Sequence, residues 1–409
     1  MPNIALIADD LTGAMDAGLQ FGKRGLRALV PLGWQALPDA EVLVVDTDAR
    51  EASASEAHRR VGLVARALAG RTLFKKVDST MRGNVGYELR ALLEALSPRA
   101  IVVAPAFPGG GRATVDGVLR VDGRPLELTA FARDPRWPMR QSHLPTLLTQ
   151  QAGREVGLVP LSAVEGGPEA LAAALERCAE PLIVVDAVSA AHLNVIAAAL
   201  VALGEGWLPC GSAGLAGAWA DALLPPKAAP WPLPPAGRGP LLVAAGSRNE
   251  VTVAQLRRAL DERALPCVEL DPGQWWDPAR EVARLAEACL RALGRGEDVL
   301  LTASFIALVA GRGEAVADLL GRTVATVAAH QRLGGLFLTG GDIAVAVCRA
   351  LGAAALSIQH EVQPGVPGGQ LVGGRADGLT VVTKAGGFGD PRALLDALDY
   401  LHGRGAAGG

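Results

Sequence analysis

Apolar and polar positions alternate along this chain of 409 residues in a way that predicts strands and helices in turn. Runs of four or five apolar residues, typical of strands buried in a parallel sheet, are separated by longer stretches in which apolar residues recur at helical spacing. In the first half we predict strands at 4–8, 42–46, 73–77, 101–104 and 182–186, and helices at 14–23, 54–68, 85–96, 168–178, 190–203 and 213–223. Residues 112–161 are less regular and are interpreted as a flap or an excursion from the sheet. The alternation favours a mostly parallel sheet with helices on both faces.

The second half repeats this pattern after a proline-rich stretch at residues 225–240. Proline at that density can continue neither a helix nor a central strand, so we predict a stiff linker there. Strands are predicted at 241–245, 268–270, 299–302, 336–339 and 379–383, and helices from about 250 and at 280–293, 314–330, 344–351 and 391–402. The pattern therefore predicts two α/β domains, residues 1–224 and 241–403, followed by a flexible tail at 404–409.

Composition narrows the classes of function. The formal net charge of −3 gives no sign of a nucleic-acid or membrane surface. Five cysteines at wide spacing without a CxxC pair are typical of reduced thiols, and six scattered histidines predict no zinc site. The chain starts without a basic leader, and no apolar run approaches the ~20 residues of a membrane span. We therefore expect a cytoplasmic protein that acts on small molecules and holds no metal of its own.

Two adjacent acids, Asp9 and Asp10, follow the first predicted strand. Side chains at that position reach the carboxyl edge of a parallel sheet, where ligands of α/β folds bind. The pair could hold Mg²⁺, accept hydrogen bonds from substrate hydroxyls or act as a base; alternatively, Asp10 or Thr12 simply caps the following helix. If both acids face one pocket, one pKa should rise through mutual repulsion.

A second polar stretch, FKKVDSTMRGN at residues 74–84, comes before the helix predicted from residue 85. Hydroxyls and backbone N–H groups at the start of a helix suit an anion, and the planar fork of Arg82 matches a carboxylate. Lys75 and Lys76 stand out because the chain has few lysines. The alternative is a capped helix beside a solvated charge cluster.

Glycine-rich turns follow several other predicted strands. APAFPGGGR (104–112) and PCGSAGLA (209–216) lie in the first half, and we interpret Cys210 as a small buried thiol. GSRN (246–249), TGGD (339–342) and KAGGFG (384–389) lie in the second half, each before a helical pattern. Such turns cradle phosphates, so three in one domain favour a nucleotide site. The chain has no P-loop signature and no strict GxGxxG after its first strand.

Taken together, the motifs IADDLTGAMD, KKVDSTMRGN, APAFPGGGR, CGSAGLA, TGGD and TKAGGFG occur in an order that resembles the four-carbon acid sugar kinase family. The resemblance spans residues 4 to about 389. It implies a sugar-acid-binding domain at 1–224, a nucleotide-binding domain at 241–403 and an active site in the cleft between them. Met81 stands where the family usually has Leu, and Ala385 where it often has Ser.

The resemblance also implies a reaction and residue roles. ATP, with Mg²⁺, would phosphorylate a hydroxyl of an acid such as 3-oxo-tetronate, threonate or erythronate, with the terminal C4 hydroxyl as the expected acceptor. Expected catalytic residues are Asp9, Asp10 and Lys76. Expected substrate-binding residues are Asp9, Asp10, Thr12, Asp78, Ser79, Thr80, Arg82, Gly211 and Ser212. Expected nucleotide-binding residues are Ser247, Gly340, Gly341, Asp342, Ile343, Gly386 and Gly387.

Two rival functions stay open at this point. An NAD-linked hydroxy-acid dehydrogenase would share the architecture and the acid substrate, although the missing GxGxxG disfavours it. A non-catalytic sugar-acid-binding protein would bind the acid without turning over ATP. The oligomeric state is also open, with a homodimer as one alternative.

Overall fold

The computed structural model describes residues 3–34, 37–134, 137–224, 237–274, 277–306 and 312–404. Most of the predicted linker and all but the first residue of the predicted tail lie outside these ranges. The chain forms two compact units. Unit 1 comprises Met1–Arg24 and Trp34–Ala229, and unit 2 comprises Gly25–Gly33 and Pro230–Gly409.

The predicted elements are present in both units. The strands in chain order are β1 (Ile4–Ala8), β2 (Ala28–Pro31), β3 (Val42–Asp46), β4 (Thr72–Lys76), β5 (Ala100–Ala104), β6 (Arg112–Val115), β7 (Val118–Val121), β8 (Arg124–Pro125), β9 (Gly157–Val159), β10 (Leu182–Val185), β11 (Trp207–Gly211), β12 (Leu241–Ala245), β13 (Cys267–Glu269), β14 (Val299–Thr302), β15 (Gly335–Thr339), β16 (Ala355–Gln363), β17 (Val366–Val372) and β18 (Thr380–Lys384). The helices are α1 (Leu11–Gly22), α2 (Ala54–Ala67), α3 (Val85–Leu96), α4 (Leu144–Ala152), α5 (Leu161–Glu165), α6 (Pro168–Arg177), α7 (Ala190–Leu203), α8 (Ala213–Leu223), α9 (Glu250–Arg263), α10 (Pro278–Leu293), α11 (Gly313–His330), α12 (Gly341–Ala350) and α13 (Ala393–Leu401). Every strand predicted from the apolar runs is confirmed, with its ends shifted by at most one residue.

Unit 1 contains a parallel sheet with the strand order β3-β1-β4-β11-β5-β10-β9. Strand β11 was not predicted, because a proline in its middle argues against a central strand. Pro209 nevertheless pairs with Val102 of β5. The core includes Trp219 of α8, whose ring packs against Phe21 and Phe74. The order β1-β4-β11 brings three predicted motifs to one edge of the sheet.

The region interpreted as an irregular flap has regular structure of its own. It contains an antiparallel ribbon of β6, β7 and β8, as well as α4. A bridge between Thr114 and Ala187 connects the ribbon to the segment that follows β10. The excursion is therefore built onto unit 1.

Unit 2 has the strand order β13-β14-β12-β15-β18-β17-β16-β2. The first five strands are parallel, and the hairpin β16–β17 and strand β2 are antiparallel. Strand β2 comes from the N-terminal part of the chain and pairs Val30 with Leu356. The sequence analysis included this segment in the first domain, whereas the structure makes it part of unit 2. Among the described helices of both units, none is long and apolar enough to cross a bilayer.

Candidate active site

Asp9 and Asp10 are held together by Arg50, a residue that the sequence analysis did not single out. Arg50 Nε and Nη2 donate to Asp9 Oδ2 and Oδ1 at 2.8 and 3.0 Å, while Nη1 and Nη2 donate to Asp10 Oδ2 and Oδ1 at 2.6 and 2.9 Å. One guanidinium therefore makes two bidentate contacts, the strongest geometry for this pair of groups. The position of Arg50 could have indicated this role, because Arg50 follows β3, the parallel neighbour of β1.

The environment of Asp9 keeps this acid ionised. Its side chain is 1% exposed. Burial on its own would raise the pKa of Asp9, but the charges of Arg50 and of two neighbouring lysines, Lys75 and Lys76, hold that pKa below its usual value. The expected rise of one pKa through mutual repulsion therefore does not occur at Asp9, because the charge of Arg50 lies between the two carboxylates.

Asp10 has two structural roles besides its contact with Arg50. It is the N-cap of α1, accepting hydrogen bonds from Gly13 N at 2.9 Å and from Thr12 Oγ1 at 2.6 Å. Asp10 thus caps α1, and the helix begins at Leu11 rather than at the predicted residue 14. With 25% of its side chain exposed, Asp10 is the more accessible acid of the pair.

The space around this cap is tight. A Cβ atom added to Gly13 would lie 2.5 Å from Asp10 Oδ1 and 3.0 Å from Lys76 Nζ. Contacts that close essentially never occur between real atoms, so Gly13 is needed to let the carboxylate and the ammonium group approach the start of α1.

The loop that carries Arg50 is anchored by hydrogen bonds. Arg50 N donates to Asp9 O at 3.1 Å. Asn84 Nδ2, at the start of α3, donates to Ala49 O and Ala52 O at 2.9 and 2.8 Å. These bonds fix the guanidinium at the edge of the sheet, as a preorganised binding group requires.

A third acid near this cluster, Asp46, was also missed. It ends β3 and accepts a hydrogen bond from Asp48 N at 2.7 Å. Burial, with repulsion from Asp9, Asp10 and Asp48, raises the pKa of Asp46 to about 8. A carboxyl group that titrates near neutral pH is a feature of functional sites.

The two adjacent lysines of β4 have different surroundings. Lys75 is fully buried and its Nζ lies 2.6 Å from Glu88 Oε2, also fully buried. Attraction to Glu88 and Asp9 outweighs burial and raises the pKa of Lys75. Lys76 is 5% exposed, and its Nζ donates to Val77 O at 2.9 Å. Within the described residues this is its one hydrogen bond, so two of its three N–H donors are available to a ligand.

Arg82, expected to bind the substrate carboxylate, is paired inside the protein. Its Nε and Nη2 donate to Asp78 Oδ2 and Oδ1 at 2.9 and 3.1 Å, and its Nη1 donates to Asp134 Oδ2 at 3.4 Å. Burial opposes ionisation of Asp78, but Arg50, Arg82 and a hydrogen bond from Thr80 lower its pKa. Asp78, Thr80 and Arg82 thus form one satisfied cluster. The half-buried Ser79 hydroxyl beside them makes no hydrogen bond to the described residues.

The turn at the end of β11 is occupied by structural contacts. Ser212 is the N-cap of α8: its Oγ donates to Ala106 O at 2.8 Å and accepts from Gly214 N at 3.1 Å. A Cβ atom on Gly211 would lie 2.5 Å from Ala104 O. Cys210 is fully buried, and burial raises the pKa of its thiol to about 12, in agreement with an unreactive thiol.

The three glycine turns of unit 2 converge at one edge of its sheet. They follow the adjacent strands β12, β15 and β18. A Cβ atom on Gly340, where φ is +103°, would lie 3.5 Å from Ser247 N, and one on Gly386 would overlap Ser247 Oγ. Gly387 lies next to Asn249. The three turns were identified in the sequence, whereas the distances between them come from the structure.

Helix α12 begins inside this cluster. Gly341 is its first residue, and its N-cap, Gly340, offers no side chain to the first amides. The first turn also contains Asp342 and Ile343, and Ile343 packs close to Gly246. The amides at a helix start form a natural site for a phosphate. Among the described residues no group of three or more His, Cys, Asp or Glu side chains could hold a metal ion.

Comparison with known families gives two domain models in the same order along the chain. A family model described as a sugar-binding N-terminal domain matches residues 4–219, and one described as a nucleotide-binding C-terminal domain matches residues 242–394. The fold and the two sites therefore define a protein that joins a sugar-binding α/β domain to a nucleotide-binding α/β domain.

Relatives that match this chain over nearly its full length identify the family. A D-threonate kinase from Salmonella typhimurium strain LT2 is 37% identical over 97% of this chain and 97% of its own. A D-erythronate kinase from Heliobacterium modesticaldum is 32% identical over 98% and 97%, and a 3-oxo-tetronate kinase from Cupriavidus necator is 32% identical over 98% of both. The chain belongs to the four-carbon acid sugar kinase family. The resemblance drawn from its motifs is thereby confirmed, as is its interpretation as a kinase.

A solved structure is also similar over the full length. A protein from Bordetella bronchiseptica is 35% identical and covers 99% of this chain and 100% of its own, with a TM-score of 0.50. That crystal structure is described as a domain-swapped dimer with bound citrate.

Proposed function

We propose that this kinase transfers a phosphoryl group from ATP to a hydroxyl of a four-carbon sugar acid, with D-threonate, D-erythronate and 3-oxo-tetronate as candidate substrates. The observation that carries the proposal is the agreement between domain and site. The sugar-binding model matches the unit that contains the Asp9–Asp10–Arg50 cluster, and the nucleotide-binding model matches the unit in which three glycine turns meet.

In this proposal the acid binds at the carboxyl edge of β1 and β4. Asp10, the more exposed carboxylate, accepts a hydrogen bond from a substrate hydroxyl, and Arg50 fixes its orientation. Lys76 contributes its two available N–H donors and a positive charge, which suits either the substrate carboxylate or the transferring phosphoryl group. Ser79 offers a hydroxyl without another partner among the described residues.

The remaining predicted substrate residues act through this framework. Asp9 supports Arg50, Thr12 bonds to Asp10, and Thr80 and Arg82 orient Asp78. Gly211 and Ser212 shape the adjoining turn. In this proposal fewer residues contact the acid directly than the sequence motifs suggest.

The nucleotide is proposed to bind unit 2 with its phosphates at the start of α12. The amides of Gly341, Asp342 and Ile343 and the turns of Ser247, Gly386 and Gly387 supply the donors, and Gly340 lets the backbone approach closely. Mg²⁺ would be bound mainly by the phosphates, as is usual for a cation that keeps several waters. When bound, it would neutralise the charge that develops on the transferring group.

Three further assignments belong to the proposal. The acceptor is the terminal C4 hydroxyl, which lies farthest from the carboxylate that anchors the acid. The enzyme works in the cytoplasm, where its five free cysteines stay reduced. A homodimer is its proposed assembly, supported by the dimer described for the relative from Bordetella bronchiseptica.

The test is an ADP-release assay with ATP and Mg²⁺ across a panel of four-carbon acids that includes both epimers of each hydroxy acid. We expect one acid to support turnover well above the others, and phosphorus-coupled NMR of the product to show the phosphate on C4. Absence of ATP turnover with every acid would contradict the proposed reaction. A product phosphorylated at C2 or C3 would contradict the proposed acceptor alone.

A further inference from the structure

Lys384, the last residue of β18, is a buried lysine below the glycine turn of unit 2. Its side chain is 2% exposed. Its Nζ donates to Thr252 Oγ1 at 3.1 Å and to the carbonyl oxygens of Ala385, Gly386 and Phe388 at 2.9, 3.0 and 3.1 Å. All four acceptors are neutral, so the ammonium group is hydrogen-bonded but its charge is not compensated.

Lys75, the other lysine of the described residues that is less than 3% exposed, provides a contrast. Lys75 has a buried carboxylate partner, Glu88, at 2.6 Å. For Lys384 the described residues provide no acidic partner within ion-pair distance, and burial lowers its pKa to about 8. A buried charge without a partner is costly, and proteins usually retain such a charge at a functional site.

The hydrogen bonds of Lys384 also determine which way the turn faces. In a trans peptide unit the C=O and the following N–H point in opposite directions. Because the carbonyl groups of Ala385, Gly386 and Phe388 point towards Nζ, the N–H groups of Gly386, Gly387 and Gly389 point away from it. Among the described residues these three amides have no acceptor.

Helix α9 binds the carbonyl groups of the same turn alongside Lys384. Gln255 Nε2 donates to the carbonyl oxygens of Phe388, Gly389 and Asp390 at 3.1, 3.2 and 2.7 Å, and Thr252 Oγ1 donates to Gly386 O at 2.7 Å. Three carbonyl groups of the turn therefore face the cation and the amides of Gly386, Gly387 and Gly389 face away from it, while Phe388 N donates back to Ala385 O at 3.1 Å. Outward-facing successive amides form a concave site for an anion.

We propose that Lys384 is a positioning residue for the nucleotide phosphates: it gathers the carbonyl groups of the KAGGFG turn so that the amides face the phosphate chain, which in turn supplies the missing negative charge. The phosphates do not touch Lys384 in this arrangement. The inference rests on the proposed binding of ATP to unit 2.

Two variants at this position test the role. Lys384→Met removes the charge and the donors, and Lys384→Gln keeps two donors without the charge. We expect both to raise the inhibition constant of ADP against ATP, by about 30-fold for the Met variant, which corresponds to ~2 kcal/mol. The inhibition constant of adenosine, which has no phosphates, should change less than about twofold, and so should the KM of the acid.

The control is Thr323→Val, which removes a buried hydroxyl of the same unit that bonds only within its own helix, to Leu319 O at 2.8 Å. It should leave both inhibition constants unchanged. Thr252→Val removes a hydrogen bond to the turn while Lys384 stays in place, and it should raise the inhibition constant of ADP by a few-fold. The inference would be overturned if folded Lys384 variants kept the wild-type inhibition constant of ADP. It would also be overturned if the inhibition constants of ADP and adenosine rose equally. If the wild type is not inhibited by ADP at all, the proposed nucleotide site itself fails.

Discussion

At the scale of single residues, the carboxylates of the site were visible in the sequence but their partner was not. Asp9 and Asp10 are adjacent and follow a strand, so their position could be read from the chain. Arg50 lies 40 residues away in another loop, and its role depends on which strand pairs with β1. Neighbouring strands in a sheet are not determined by local pattern, so this contact was not predictable from spacing alone.

The Arg50 clamp gives a prediction at this scale. Arg50→Lys keeps the charge but cannot make two bidentate contacts, since an ammonium group is a point donor. We expect kcat/KM for the acid to fall by about 100-fold, because a close charge-assisted contact is lost. The KM of ATP should stay within a factor of two. Steady-state kinetics with each substrate varied in turn measure this.

A matched control is Arg59→Lys, because Arg59 is 56% exposed and pairs with Glu56 on the surface of α2. It should behave as wild type. If Arg50→Lys raised the KM of ATP rather than that of the acid, the assignment of the two ligands to the two units would be wrong.

Lys384 gives a pH-dependent prediction. Its pKa falls from the usual 10.5 to about 8 in the folded protein, so between these pH values the unfolded chain binds more protons. The wild type should therefore gain stability relative to Lys384→Met as pH rises through this window, by up to ~3 kcal/mol. The groups bonded to Lys384 Nζ do not titrate, which leaves the lysine as the source of the difference. Urea unfolding of both proteins at pH 7.5 and 10.5 measures it, and a constant difference would refute the prediction.

At the scale of elements, most strands that the sequence predicted are runs of apolar residues. Three of the missed strands have a weaker pattern. Strand β11 contains Pro209, and β16 and β17 form a hairpin whose second strand carries Gly368 and Gly369. Glycine and proline lower the strand signal, yet Gly369 is needed because a Cβ atom there would collide with Ser357 O. The sequence therefore predicts regular elements well and those shaped by close packing poorly.

The start of α12 offers a prediction about an element. Gly340→Ala places a side chain at φ +103°, a conformation that L residues rarely adopt, at the amide end that is proposed to bind phosphate. Gly352→Ala also places a side chain at a positive φ, +71°, just beyond the other end of the helix, where a Cβ atom finds ordinary contact distances. Each should cost ~1 kcal/mol of stability. We expect only Gly340→Ala to weaken ADP binding measured by calorimetry, by about tenfold or more; equal affinities in the two variants would remove α12 from the nucleotide site.

At the scale of the whole molecule, two α/β domains in this order could be predicted, and the family models agree. The sequence did not predict that a segment near the N-terminus belongs to unit 2. Residues 25–33 supply β2, which pairs with β16 of unit 2. A short apolar strand has no local feature that tells which sheet it joins, so linear domain boundaries miss it.

This early strand leads to a prediction about fragments. Residues 237–404 expressed alone leave β16 as an unpaired edge, which favours aggregation. The same fragment with residues 25–33 attached through a flexible linker should remain monodisperse and unfold at a higher temperature. Size-exclusion chromatography and thermal unfolding compare the two. Equal solubility and equal midpoints would show that β2 contributes little to unit 2.

The account depends most on the carboxylate cluster at the end of β1 having a chemical role beyond capping a helix. Asp10→Asn separates these roles, because asparagine caps a helix as well as aspartate but carries no charge. With saturating ATP and the preferred acid, we predict that kcat falls by about 100-fold or more, as expected for loss of an acid–base or orienting group, while ADP affinity stays at the wild-type value. A variant that turns over at the wild-type rate would show that Asp10 is a cap alone and would contradict the proposed site.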